Sequence, residues 1–117
     1  MADSKFNATS ATLSVGRLGM SGFTLVGHFV LNDSIHADGI VFIEPSRIPG
    51  EDSARLSGGV TDPQLSIVFN SGFFDLLLQN LRAATSVEIR FITPTDIGST
   101  SSIPTDSLRI LTRRKFD

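Results

Sequence analysis

Apolar and polar residues alternate with a period of two through Val87-Glu88-Ile89-Arg90-Phe91-Ile92, putting Val87, Ile89 and Phe91 on one face of an extended segment. Glu88 and Arg90 fall on the other face, the pattern of a strand in a sheet with one wet side. Alternation, or enrichment in β-branched and aromatic residues, predicts strands over roughly 5–15, 22–31, 38–44, 64–70, 86–92 and 107–113. Ile40-Val41-Phe42-Ile43 and much of the run from Phe23 to Leu31 are apolar on both sides, so those strands should lie centrally or between layers. Gly27 within that run marks a bulge or a close approach of backbones.

Residues 73–82 break the period of two. Wound as a helix at about 100° per residue, Phe-Phe-Asp-Leu-Leu-Leu-Gln-Asn-Leu-Arg is apolar around more than half its circumference, with Asp75, Gln79 and Arg82 as the polar stripe. The spacing predicts one helix over about 72–84, with the Ser71 hydroxyl as its cap and Asp75 near its positive end. Phe74, Leu78 and Leu81 suffice to dock such a helix on a sheet. Phe73, Leu76 and Leu77 are then surplus and predict an interface, since an exposed apolar flank needs a cover.

The elements together predict an α+β fold: a strongly twisted, mainly antiparallel sheet or partial barrel of five to seven strands, with that single helix against it. The alternative is a β-sandwich with the helix as a crossover. Residues 1–117 fit a single domain, with 1–4 and 114–117 as candidate disordered ends. Two connections, 45–63 and 94–106, are rich in Pro, Gly, Ser and Thr, and long loops of this kind are where sites tend to sit.

Composition narrows the function classes. Without cysteine the chain has no disulfide framework, thiolate metal cage or cysteine nucleophile. A net charge of −2 with scattered basic residues disfavours nucleic acid as a partner. Nine phenylalanines stand without a tyrosine or tryptophan, which lowers sugar-binding and antibody-like surfaces and points to packing. No apolar stretch follows Lys5 as in a secretory signal, and no run approaches the roughly 20 apolar residues of a membrane span, so the pattern predicts a cytoplasmic chain without membrane contact.

Candidate chemistry is sparse. His28, His36 and Asp38 are ligand-type side chains on and around a hairpin, but a usable metal site needs three or more convergent ligands, and the pattern assigns them to a polar turn. Gly16-Arg17-Leu18-Gly19-Met20-Ser21-Gly22 and Leu56-Ser57-Gly58-Gly59-Val60-Thr61 lack the Gly-Lys-Ser/Thr ending of a phosphate loop and read as turns. Glu51 and Asp52 with Arg47 and Arg55, and Asp96 with Asp106, are charged loop residues that would act as an acid/base or metal cluster only if they met across a cleft. Arg113-Arg114-Lys115 reads as a solubilising tail. No catalytic residue and no cofactor are assigned. The sequence predicts a small non-enzymatic structural or protein-interaction module that associates with itself as a homodimer or higher homo-oligomer. The alternative is a small-molecule-binding or hydrolytic domain whose site is formed by loops 45–63 and 94–106.

Overall fold

The computed structural model describes residues 2–15, 21–46, 51–84 and 86–113. Most of the first glycine-rich turn (16–20), Arg47, and the end 114–117 with Arg114 and Lys115 lie outside these residues.

Among the described residues, eight strands and one helix follow in order: β1 Ala2–Val15, β2 Ser21–Leu31, β3 Ile35–Pro45, β4 Ser53–Ser57, β5 Gln64–Phe69, α1 Ser71–Ala83, β6 Ser86–Thr93, β7 Thr100–Ser102 and β8 Arg109–Arg113. A 3-10 turn, Thr105–Ser107, precedes β8. All the strands belong to one sheet in the order β7-β4-β5-β3-β2-β1-β6-β8. Only β3 and β5 run parallel; the other neighbours are antiparallel. The fold is therefore α+β with a curled half-barrel sheet, as the pattern predicts, but with more strands than five to seven. The sandwich alternative is overturned because no second sheet forms among the described residues.

The two extra strands, β4 and β7, lie inside the predicted loops 45–63 and 94–106, and they pair with each other through Arg55 with Ser102 and Leu56 with Ser101. Burial explains this, since Ala54, Leu56, Ser101 and Ile103 all face the core. At the other end, β1 begins at Ala2 and pairs with β6 from Ala2 to Asn7, so residues 2–4 of the expected disordered end are strand, with Ser4 buried.

Curvature follows from connectivity. The outermost strands β7 and β8 are consecutive in the chain, joined by residues 103–108. Such a strap reaches at most about 25 Å, whereas the outer edges of eight strands laid flat would stand about 34 Å apart at the usual spacing of about 4.8 Å. The sheet must curl until both edges fall within the strap's reach. Ile103 and Leu108, at either end of the strap, turn into the core.

Inside the curl, Phe29 packs against Phe6 and Phe91 with ring centroids 4.7 and 6.3 Å apart. Gly27 sits opposite a register shift between Ala8 and Ser10 of β1, and a Cβ there would lie 2.1 Å from the Asn7 carbonyl oxygen. Both a bulge and a close approach are present. The bulge also changes which residues of β1 face inward: Ser4 and Phe6 before it, Ala11 and Leu13 after it, as their partners Phe29 and Leu25 are core residues.

Helix α1 links β5 to β6, which run in opposite directions and are separated by β3, β2 and β1. It is an antiparallel return across the open face of the curl. Its cap is Asn70, whose Oδ1 accepts the Phe73 N–H at 3.0 Å, instead of Ser71. Asp75 lies past the first turn, which contains no acidic residue. Asp52 fixes the cap in turn, its carboxylate accepting the Asn70 backbone N–H at 2.7 Å and the Asn70 side-chain amide at 3.2 Å.

Candidate functional site

Helix α1 covers the half-barrel incompletely on the side of β8. Between the helix and residues 105–112 runs a groove of about 570 Å³, with Phe69, Phe73, Leu76, Leu77, Leu108 and Ile110 as its apolar lining. Asp52, Asn70 and Asn80 contribute polar atoms from the helix side, and Thr105, Asp106, Arg109 and Thr112 from the other.

The three helix residues expected at an interface do not share one environment. Leu77 is only 6% exposed and belongs to the core, alongside Phe74 and Leu81. Phe73 and Leu76 remain open at 45% and 62%. The difference in burial has a simple cause: an apolar arc this wide does not fix the helix's rotation, and packing buries Leu77 more deeply than Leu78, which is partly buried. Phe73 also stacks edge-on against Phe69, with ring centroids 4.7 Å apart. It forms a wall of the groove while leaving nearly half its surface open.

Of the loop charges, the structure brings Asp52 and Asp106 to this one groove, from the two segments expected to frame a site. Glu51, Arg55 and Asp96 do not line it. Asp52 is already engaged in holding the helix cap, and Arg109 is folded back, its Nη1 donating to the carbonyls of Asp106 and Leu108 at 3.2 and 3.1 Å. The segments 45–63 and 94–106 thus meet chiefly as strands, with Asp52, Thr105 and Asp106 reaching the groove. Leu108 and Ile110 were not foreseeable as groove residues; their alternation marks a strand but not which neighbour it faces.

His28, His36 and Asp38 do come together, on the outward face of β2 and β3. His28 Nδ1 lies 3.1 Å from Asp38 Oδ1, and His28 Nε2 lies 3.0 Å from His36 Nδ1. The result is a hydrogen-bonded chain in which both nitrogens of the central imidazole are occupied by neighbours. An imidazole must offer a free lone pair to ligate, and among the described residues no group of three or more His, Asp or Glu is arranged around a metal position. Asp38 is almost fully exposed, so the chain lies on open surface.

Comparison with family models, with curated proteins and with solved structures finds no match to this chain. Among the described residues, no helix is long and apolar enough to cross a membrane.

Proposed function

We propose that this chain is a small non-enzymatic interaction module that associates with itself through the open flank of α1. The observation that supports this reading is Leu76, a leucine 62% exposed on the rim of a groove whose apolar lining runs on into Phe73, Leu108 and Ile110. A two-fold axis near this rim would place each copy's Leu76 over the other's groove, an isologous arrangement in which one patch supplies both knob and hole. Stable contacts of this kind bury about 1,200–2,000 Å² in total. Light scattering over micromolar concentrations should then give a mass at least twice 12.6 kDa, and Leu76→Glu should lower it while the sheet's circular dichroism is retained. A monomer at every concentration overturns the reading.

A second reading is favoured by the groove's polar rim. Its volume of about 570 Å³ falls within the roughly 300–1,000 Å³ usual for small-molecule sites, and Asp106 supplies an orienting group. In that case a thermal-shift screen with metals, nucleotides and sugars gives a saturable stabilisation that Asp106→Asn weakens.

A further inference from the structure

The β6 strand pairs with β1 only as far as Asn7, while β1 runs on to Val15 with β2 on its other side. From Thr9 to Val15 every residue is exposed. Among the described residues, the outer half of β1 therefore has an open backbone edge and two open faces. Leu13 and Val15, 39% and 69% exposed, sit on the inward-facing side of the strand.

Open edges are normally blunted by charge, proline or shortness. The other edges of this sheet follow that rule: β7 is only three residues long, and β8 carries Arg109 and Arg113. The β1 edge does not. Thr9-Ser10-Ala11-Thr12-Leu13-Ser14-Val15 contains no charge, proline or glycine. The Thr9 and Ser14 hydroxyls donate to the Val26 and Gly22 carbonyls of β2, leaving the far edge unserved by these side chains.

We infer that the outer half of β1 pairs antiparallel with the same segment of a second copy of this chain, joining two half-barrels into one continuous sheet. Only an extended strand satisfies a row of backbone N–H and C=O groups. Self-pairing brings no like charges together here, whereas pairing β8 with itself would oppose arginines. The side chains also sort by face. With Leu13 on the two-fold axis, Leu13 meets Leu13 and Ala11 meets Val15 on one face, while Thr12 meets Ser14 on the other, because directly opposed residues of an antiparallel pair share a face. This contact is independent of the helix flank.

Hydrogen exchange of the intact chain, followed amide by amide from micromolar to near-millimolar concentration, tests the pairing. Protection at Ala11–Val15 should rise at least tenfold with concentration, and Leu13→Lys, at an exposed position, should abolish that rise and weaken association at least tenfold. In Leu76→Glu the rise should persist, which separates this contact from the one at α1. Exchange at Ala11–Val15 that is independent of concentration in the wild-type chain overturns the inference, whether or not Leu13→Lys folds. So does a concentration-dependent rise lost in Leu76→Glu and kept in Leu13→Lys.

Discussion

Asn32 and Asp33 turn the chain from β2 into β3 with φ of 52° and 62°, a left-handed pair that asparagine and aspartate accept at low cost. The Asn32 side chain then fastens the sheet's lower end. Its Oδ1 accepts from the Thr93 hydroxyl, its Nδ2 donates to the Thr95 carbonyl at 3.0 Å, and its backbone N–H donates to the buried Ser4 hydroxyl at 2.9 Å. Thr93→Val keeps the shape but leaves partners unpaired in a buried site, so denaturant unfolding should show a loss of about 1–3 kcal/mol. Asn32→Ala should cost about as much. Asn32 was legible as a turn residue; its tie to Thr93 was not, since 61 positions separate them in sequence. Gly27 was legible, because a glycine inside an apolar strand gives up side-chain packing that only a bulge or a near backbone rewards. Gly27→Ala should destabilise by about 1–3 kcal/mol through overpacking. For His28 and His36, excess zinc should leave the melting temperature unchanged; a saturable rise abolished by His36→Ala would show that the imidazole chain opens to bind metal.

Among the elements, β6 was the most legible, and its strict alternation is matched by the burial of Val87, Ile89 and Phe91 against exposed Arg90. Phe91→Ala should cost about 3–5 kcal/mol. Arg90→Ala removes only a surface pair with Glu88 at 2.9 Å and should stay within about 0.5 kcal/mol. Equal losses in parallel urea titrations would contradict this register. The helix was legible in extent but not in rotation, because leucines at 76, 77 and 78 satisfy several phases at once. Its cap was missed by one residue: Ser71 and Asn70 are both good capping types, and the choice is made by Asp52, which arrives from β4's flank. Asn70→Ala should lower stability by about 0.5–2 kcal/mol. β7 was illegible for a different reason, since Thr-Ser-Ser has no apolar residue and becomes strand through the ladder that β4 offers and the burial of Ser101.

At the scale of the molecule, residues 103–108 hold the two sheet edges within one strap, and Ile103 is among the buried residues that fasten it. Ile103→Ala should cost about 2–5 kcal/mol, and limited proteolysis should then cut first between β7 and β8. The Ser4 and Thr93 hydroxyls, 2.8 Å apart in space and 89 residues apart in sequence, carry a further consequence, one of timing. During synthesis β1, β2 and β3 leave the ribosome early and can form a meander at once, but β6, the strand that covers the inner half of β1, comes much later. At about 5–20 residues per second, the stretch from Leu31 to Thr93 takes roughly 3–12 s to make. For that interval the edge of β1 opposite β2 is open along its entire length, and neighbouring nascent chains on one messenger present the same open edge to one another. Slower translation lengthens the exposure, so the yield of folded protein should fall where ribosomes pause between β3 and β6.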